Sequence, residues 1–348
     1  MALKRLQPQK ERTLKPESGE DDLHALEATL RPQKLSEYIG QTKIKGHLLV
    51  HIEAARSRSE PLGHTLLHGP PGLGKTTLAH IIAREMEAHV RITSGPVLEK
   101  PGDLASILTN LQEGDVLFID EVHRLRPIVE EMLYGAMEDC VLDLVIGKGP
   151  TARSMRLQLK PFTLVAATTK SGSMSAPLRD RFLHNFKLGF YEMPEMQQIV
   201  ERSARILSLE LPAPAAHRIA LACRATPRIA NRLIRSIRDY AHVQKKETAD
   251  LLCVEETLRS LEIDHDGLDS TDRQILLSII DHFAGGPVGL GTIAAMLAEE
   301  EDTIEDVYEP FLLQQGYLDR TSKGRMATKR AYEKFGRAVP RDVQATLL

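Results

Sequence analysis

The amino-acid sequence predicts an α/β domain with a parallel sheet, followed by a small all-helical domain and a C-terminal winged-helix domain. Up to Phe190, short apolar runs that end on polar residues alternate with amphipathic stretches, as expected when helices cover a parallel sheet. After Phe190, helical periodicity continues with almost no strand signal. The final part combines helical stretches with a basic strand–turn–strand, which is typical of a winged helix. We therefore expect a flexible arm, a sheet domain, a helical domain and a winged-helix domain, with boundaries at 1–25, 26–191, 192–264 and 265–348.

Composition favours a folded protein of several domains. The chain has 348 residues, 42% of them apolar, which suits two or three domains. Net charge is −3, yet 317–348 holds eight Lys or Arg against three Asp or Glu. No apolar run reaches about 18 residues, and the charged N-terminus lacks the apolar region of a secretory signal, so we expect a cytoplasmic protein. Three widely spaced cysteines without a CxxC pair are expected to be free thiols: Cys140, Cys223 and Cys253.

Three apolar runs are predicted strands of the sheet. The run "TLLHG" leads into a glycine-rich turn and a predicted helix over 75–86. The runs "DVLFID", 115–120, and "PFTLVAATT", 161–169, each end on polar side chains. Between them, 142–159 alternates on both sides of a Gly-Lys-Gly-Pro turn and predicts a β-hairpin. Met155 and Leu157 of this hairpin point to one face, which either packs on the sheet or docks a partner.

The glycine-rich turn is a candidate phosphate-binding loop. The string "GPPGLGKT", 69–76, satisfies the pattern GxxxxGK[ST] between a strand and a helix. Its glycines, including Gly72 and Gly74, let backbone N–H groups converge on a phosphate at a helix N-terminus. We expect Lys75 to bridge the β- and γ-phosphates of ATP and the Thr76 hydroxyl to bind Mg²⁺. A chance glycine turn is the alternative, and the motif that follows disfavours it.

That second motif is "VLFIDE", at the end of the next predicted strand. Asp120 is expected to hold the Mg²⁺ shell, and Glu121 to orient and deprotonate an attacking water. Hydrolysis needs both functions, because the metal neutralises phosphate charge and the water needs a base. A solvated Asp-Glu pair at a strand end is the alternative. The glutamate favours hydrolysis over passive nucleotide binding.

Further polar side chains are expected near the phosphates or at a subunit boundary. The string "AATT" places Thr168 and Thr169 at a strand end, where Thr169 is suited to sense the γ-phosphate. The string "PLRDRF" offers Arg179 and Arg181. They either reach a neighbouring subunit as an arginine finger or form a surface salt bridge with the adjacent aspartate. Arg228 opens the helix "PRIANRL", from which it could reach back to the phosphates or simply add surface charge.

These motifs resemble those of AAA+ ATPases, and over most of the chain those of one family. Strings such as "LRPQKLSEYIGQ", "SGPVLEKPGDLA", "IGKGPTARS", "GGPVGL" and "EDTIEDVYEPFLLQQGYL" resemble the RuvB family of bacterial Holliday-junction branch-migration motors. The resemblance covers about 26–336. It implies an ATP-driven translocase in recombination and repair, with hexameric rings around double-stranded DNA at four-way junctions, and with RuvA and RuvC as partners.

The resemblance also implies roles for particular residues. Arg181 matches the finger position, Thr169 the first sensor and Arg228 the second. For this family, the partner of the 142–159 hairpin would be RuvA. Two arginines of the wing match positions that touch DNA: Arg320 and Arg325. The residues that line or flank the nucleotide site would be Arg31, Gly72, Gly74, Lys75, Thr76, Thr77, Glu138, Asp139, Cys140, Arg181, Tyr191 and Arg228.

Two departures from the family pattern are visible. After "LRDRF" the family usually has Gly-Ile, whereas this chain has "LHNFKLGFY" over 183–191. Ala225 stands where a glycine is usual. Neither departure removes a predicted catalytic side chain, but the first leaves open whether the loop around the finger keeps its usual set of residues.

Two other classes of function also fit parts of the sequence. One is a slowly hydrolysing AAA+ initiator with a winged helix, which loads other proteins onto DNA. The other is a clamp-loader-like ATPase, although the sequence lacks the zinc-binding cysteines that some such proteins carry. The basic wing fits an initiator as well as a translocase, and DNA-stimulated turnover with processive junction movement separates the translocase from both alternatives.

Overall fold

The computed structural model describes residues 29–146 and 153–340. The predicted N-terminal arm, the Gly-Lys-Gly-Pro turn of the hairpin and the last eight residues lie outside the described ranges. Among the described helices, none is long and apolar enough to cross a membrane.

The first domain contains a five-stranded parallel sheet and a separate hairpin. Its strands are β1 Thr65–His68, β2 Val90–Ser94, β3 Val116–Asp120, β4 Val141–Ile146, β5 Arg153–Gln158, β6 Thr163–Thr168 and β7 His184–Lys187. The sheet order is β2-β3-β6-β1-β7, and every pairing is parallel. The predicted fold class is therefore confirmed, although β3 and β6 are somewhat shorter than the apolar runs that predicted them.

Helices cover both faces of this sheet, which is why its central strands are apolar throughout. Leu67 of β1 packs into the cluster that contains the first two helices, and its neighbour Leu66 packs into the cluster on the opposite face. The α-helices of this domain are α1 Thr42–Arg58, α2 Lys75–Glu85, α3 Pro101–Thr109, α4 Pro127–Glu138 and α5 Ala176–Arg179. Single turns of 3₁₀-helix occur at Leu35–Glu37, Gly95–Val97, Val122–Arg124 and Ser171–Ser173.

The predicted hairpin is formed by β4 and β5, which pair antiparallel. At its base, Leu142 lies opposite Leu157, and Leu157 packs against the core. Farther out, Leu144 lies opposite Met155, which is 40% exposed. The base of this face therefore packs on the core, as the first alternative predicted, and its outer part is open to solvent. Docking of a partner stays a prediction.

The second domain is helical, as predicted. Its helices are α6 Met193–Ile206, α7 Ala213–Ala222, α8 Pro227–Val243 and α9 Leu251–Ser260. Their buried faces belong to the same apolar cluster as α1 and α2. This domain therefore packs on the face of the sheet domain that α1 and α2 cover. Ala225, the alanine that replaces the usual glycine, has a φ of +49° in the turn before α8. A side chain in that left-handed region costs about 1 kcal/mol relative to glycine.

The third domain is a winged helix with its own core. It contains α10 Ser270–Leu277, α11 Leu290–Leu297, α12 Glu301–Thr303, α13 Glu309–Gln314, β8 Leu318–Thr321, β9 Gly324–Ala327 and α14 Lys329–Lys334. Two π-helical turns, Ser278–His282 and Ile304–Tyr308, extend α10 and connect α12 to α13. Buried Arg224 joins the helical domain to the winged helix through ion pairs to Asp269 at 3.2 Å and Asp272 at 2.9 Å.

Candidate nucleotide site and nucleic-acid interface

The glycine loop has a backbone that only glycine fits well. Gly72 and Gly74 have φ angles of +80° and +100°. A Cβ on Gly72 would lie 2.7 Å from the Thr226 methyl group, and one on Gly74 would lie 2.6 Å from the Tyr38 hydroxyl. The loop is therefore held close to both the helical domain and the N-terminal segment, with its backbone exposed toward the site.

Lys75, the first residue of α2, is buried with its ammonium inside the loop. The Nζ atom donates hydrogen bonds to the carbonyl oxygens of Gly69 at 2.7 Å and Pro70 at 2.9 Å. Burial lowers the pKa of Lys75 to about 8, partly offset by the charge of Asp120 and reinforced by the positive charge of Arg228. A phosphate that replaced these carbonyl oxygens would supply the anion that the buried ammonium lacks.

A cavity of about 220 Å³ lies in front of this lysine. Most of the residues predicted from sequence to hold the nucleotide line it: Arg31, Gly72, Gly74, Lys75, Thr76, Thr77, Asp120, Glu121, Thr169 and Arg228. Sequence reasoning missed Asn231 and Arg235, which also line it. Both lie on α8 at helical spacing from Arg228, so that periodicity could have revealed them.

The acidic pair lies at the end of β3, facing the loop. The Glu121 amide donates to the Asp120 carboxylate at 2.9 Å, and the Glu121 carboxylate pairs with Arg124 at 3.0 Å. Among the described residues, no group of three or more His, Cys, Asp or Glu is arranged to hold a metal ion. Mg²⁺ needs no such cage, because it is usually held by one or two side chains, water and substrate phosphates. The Thr76 hydroxyl and the Asp120 carboxylate in one cavity fit that requirement.

The two threonines at the end of β6 have different surroundings. Thr168 is buried; its hydroxyl lies 2.8 Å from Nδ1 of His123 and accepts a hydrogen bond from the Lys170 amide at 3.0 Å. Thr169 lines the cavity instead. Burial lowers the pKa of His123. The hydrogen bonds of Thr168 thus hold the residues that follow β6, so that Thr169 lies at the cavity.

The predicted finger lies outside the cavity that the described residues of this chain form. Arg181 is half-buried; its Nε lies 3.2 Å from the Glu138 carboxylate, and its Nη1 donates to the Pro177 carbonyl at 2.7 Å. The predicted surface pair is therefore not with the adjacent aspartate but with Glu138, because α4 ends beside the finger. Arg181 and Glu138, here called the Arg181 cluster, do not line the cavity. Asp139 and Cys140, which follow Glu138 toward β4, do not line it either.

Tyr191 stands behind the loop rather than in the cavity. Its hydroxyl donates to the Leu73 carbonyl at 3.0 Å and lies 2.8 Å from the Tyr38 hydroxyl. Burial raises the pKa of Tyr191 to about 12. The residue lies beside Gly74 and Arg31 around a smaller cavity, so it flanks the nucleotide site.

The wing carries both arginines that sequence reasoning proposed for DNA. Arg320 on β8 and Arg325 on β9 are directly opposite each other. Arg320 is 54% exposed and pairs with Glu305 at 3.0 Å. Arg325 is only 11% exposed and pairs with buried Glu309 at 2.9 Å. Both side chains were expected at the DNA, and in this structure acidic residues of the same domain pair with them.

Comparison with known proteins agrees with this architecture. Three family models match in succession: the Holliday junction DNA helicase RuvB P-loop domain over 30–188, the RuvB AAA lid domain over 191–264 and the RuvB C-terminal winged helix domain over 265–336. The solved structure of the Thermotoga maritima RuvB Holliday junction branch migration motor is 49% identical. It matches with a TM-score of 0.82 over 90% of this chain and 100% of that chain. The chain belongs to the RuvB family.

Two structures of variants of the same Thermotoga maritima RuvB give the same result. One is 48% identical, with a TM-score of 0.82 over 90% of this chain and 100% of that chain. Another is 49% identical, with a TM-score of 0.83 over 89% and 99%. Membership of the RuvB family makes this chain an AAA+ protein whose P-loop domain binds nucleotide.

Proposed function

We propose that this chain is an ATP-hydrolysing motor that drives branch migration of Holliday junctions in recombination and repair. The single observation that carries the proposal is the cavity in which the loop lysine, the acidic pair and residues of the helical domain converge. A passive nucleotide-binding site needs no carboxylate one residue past a metal-binding aspartate. The same chain also carries a basic wing, which gives the motor a contact to DNA.

Each polar residue has a role in the proposed reaction. Lys75 holds the β- and γ-phosphates and moves from its backbone carbonyl partners to do so. Thr76 and Asp120 hold Mg²⁺, which when bound neutralises phosphate charge. Glu121 takes the proton from the attacking water as the water adds to the γ-phosphorus and ADP leaves. Arg31 and Thr77 bind the rest of the nucleotide.

The remaining residues report the reaction to the rest of the molecule. Thr169 and Arg228 contact the γ-phosphate, Thr169 from the sheet and Arg228 from the helical domain, so that hydrolysis changes the angle between these domains. Arg181 stabilises the transition state in the site of a neighbouring copy, and Glu138, Asp139 and Cys140 flank that site. This proposal is supported by the separation of the Arg181 cluster from the cavity within one chain.

The proposed assembly is a homohexamer around double-stranded DNA in the cytoplasm, with RuvA and RuvC as partners. The hairpin face that contains Met155 is proposed to contact RuvA, and its exposure supports this. Arg320 and Arg325 are proposed to grip phosphates. An initiator-like switch remains the competing function, because a basic wing and a P-loop serve it equally well.

Dissociation of a synthetic four-way junction tests the proposal. The chain, a RuvA protein, ATP and Mg²⁺ should convert a labelled junction into two duplexes, and a Lys75→Ala variant should abolish both hydrolysis and junction movement. Continuous hydrolysis that leaves the junction intact in the presence of RuvA would favour a switch or loader instead of a translocase.

A further inference from the structure

Lys170 links the sheet domain to the winged helix. This residue directly follows Thr169. Its Nζ lies 2.6 Å from the Asp302 carboxylate, 3.5 Å from Asp306 and 3.8 Å from Glu305, all of which belong to the winged-helix domain. The lysine side chain is 25% exposed, so it lies between the two domains and not free in solvent.

One of these carboxylates is shared with the wing. Glu305 pairs with Lys170 on one side and with Arg320 at 3.0 Å and Arg325 at 3.8 Å on the other. Glu305 and Arg320 also line a cleft whose opposite wall includes Pro70 of the loop and Thr169. A continuous series of charges therefore runs from the candidate γ-phosphate sensor to the candidate DNA contacts.

The acidic end of this series also acts on the phosphate loop. The negative charge of Asp306 raises the pKa of Lys75 and so opposes the effect of burial on that lysine. Lys170 is itself fixed to the sensor strand, because its amide donates to the Thr168 hydroxyl at 3.0 Å. Movement of these carboxylates would therefore change the electrostatic surroundings of both Lys75 and Lys170.

We propose that Lys170 is a positioning residue that couples DNA binding at the wing to the nucleotide site through the shared carboxylate of Glu305. A DNA phosphate that pairs with Arg320 weakens the pair between Arg320 and Glu305. Glu305 then pairs more strongly with Lys170, which holds the Thr169 loop in place for hydrolysis. This coupling rests on the proposed function, since it requires a nucleotide at Thr169 and DNA at the wing.

Competition for a shared carboxylate gives the coupling its physical basis. Exposed ion pairs are individually weak, so a single pair could not transmit much. Here the Glu305 carboxylate pairs with Lys170 of the sheet domain and with two arginines of the wing. When its pairs with the arginines weaken, its pair with Lys170 becomes stronger. Coupling between two binding sites is reciprocal, so nucleotide must also change the affinity for DNA, by a factor that is typically about 5 to 150.

The first test compares DNA stimulation of ATP hydrolysis among variants of the full-length chain. In Lys170→Ala, the ratio of hydrolysis with double-stranded DNA to hydrolysis without it should fall at least about fivefold. Lys170→Arg keeps the charge and should restore most of the stimulation. Arg56→Ala is the matched control, because Arg56 forms an equally short ion pair, to Glu87 at 2.7 Å, within the sheet domain. Full stimulation in Lys170→Ala would overturn the proposal.

The second test measures coupling without turnover. Affinity for duplex DNA is compared with ADP and with a non-hydrolysable ATP analogue; the ratio should approach one in Lys170→Ala. Lys170→Arg should keep the ratio near that of wild type, because it keeps a cation that can pair with Glu305. A ratio unchanged by Lys170→Ala would contradict the coupling. Absence of both DNA stimulation and junction movement in the wild-type chain would instead reject the proposed function.

Discussion

At the loop lysine, the structure shows what a phosphate must displace. The Lys75 ammonium donates hydrogen bonds to two backbone carbonyl groups, and burial lowers its pKa to about 8. A free lysine in water has a pKa of about 10.4, so part of the unliganded chain carries a neutral Lys75 in mildly alkaline solution. Nucleotide binding restores the charge, because the phosphates favour the ammonium form.

Nucleotide affinity should therefore fall as pH rises above about 8. The sign follows from linkage: the bound state holds a proton that the free state has lost, so binding takes up a proton. The expected loss of affinity is roughly an order of magnitude between pH 7.5 and 9.5. Titration calorimetry in buffers of different ionisation enthalpy measures both affinity and proton uptake. In Lys75→Arg, which stays charged, affinity should be weaker but nearly independent of pH; a flat profile for the wild type would refute the role of Lys75 titration.

Replacement of Glu121 by glutamine should separate binding from hydrolysis. Glu121→Gln should bind ATP with near wild-type affinity but hydrolyse it about 10²–10⁴ times more slowly, since an amide cannot accept the proton of the attacking water. Steady-state hydrolysis and equilibrium binding give the two quantities. Glu113→Gln, which changes an exposed carboxylate just before β3, is the control. More than a small fraction of wild-type turnover in Glu121→Gln would remove Glu121 from this role.

Among the structural elements, the wing differs most from expectation. Its register places Arg320 and Arg325 opposite each other, and carboxylates of the same domain pair with both. Sequence reasoning could not anticipate this, because Glu305 and Glu309 come from a different element and reach the wing only when the domain folds. Phosphate binding must therefore compete with these carboxylates.

Loss of the two wing arginines should weaken DNA binding about equally for unrelated sequences. Phosphate contacts carry no base information, so a clamp of this kind is insensitive to sequence. In the Arg320→Ala, Arg325→Ala variant the salt slope should fall by roughly one unit per phosphate contact removed. Titration of two unrelated duplexes at several salt concentrations measures it.

The single Arg320→Ala variant keeps the buried pair of Arg325 and Glu309. A loss of DNA binding in this variant therefore does not result from misfolding of the wing. Arg337→Ala is the matched control, since Arg337 forms a similarly short ion pair in the same domain, with Asp281 at 2.9 Å. An unchanged salt slope, or a loss confined to one duplex, would show that the wing does not clamp phosphates.

In the hairpin, the residue that packs on the core and the residue proposed to dock a partner are different, so the two roles can be tested separately. Leu157→Asp should destabilise the sheet domain, because Leu157 packs on the core opposite buried Leu142. Met155→Asp should leave the melting temperature nearly unchanged but lose binding to RuvA, because Met155 is exposed. Thermal denaturation and a pull-down with RuvA give the two readouts. Retained RuvA binding in a folded Met155→Asp variant would rule out this face as the docking surface.

The sequence predicts those features of the molecule that depend on residues close together in the chain. The apolar runs, the glycine loop and the acidic strand end each identify an element and its contribution to the site within a few residues. Contacts between distant segments were not predictable in this way. The pair of Arg181 with Glu138, the Tyr38–Tyr191 contact behind the loop and the reach of Lys170 to the winged helix all depend on how the domains pack.

On the scale of the whole molecule, one chain supplies two separate sets of polar residues. The cavity holds the loop, the acidic pair and the Arg228 helix, whereas Arg181 and Glu138 pair with each other elsewhere. We propose that the second set completes the cavity of a neighbouring copy, so that the working unit is a ring. A finger acting in trans typically raises the rate by about 10³–10⁵.

Mixed rings of two inactive variants test this claim most directly. Arg181→Ala chains keep an intact loop, and Lys75→Ala chains keep an intact finger, so sites that combine the two should recover part of the ATP hydrolysis that neither variant shows alone. Hydrolysis is measured across mixing ratios, with mixed assembly verified by differently tagged chains. If Arg181 acts in the site of a neighbouring chain, activity should peak at intermediate ratios. Complete absence of activity in verified mixed rings would contradict it.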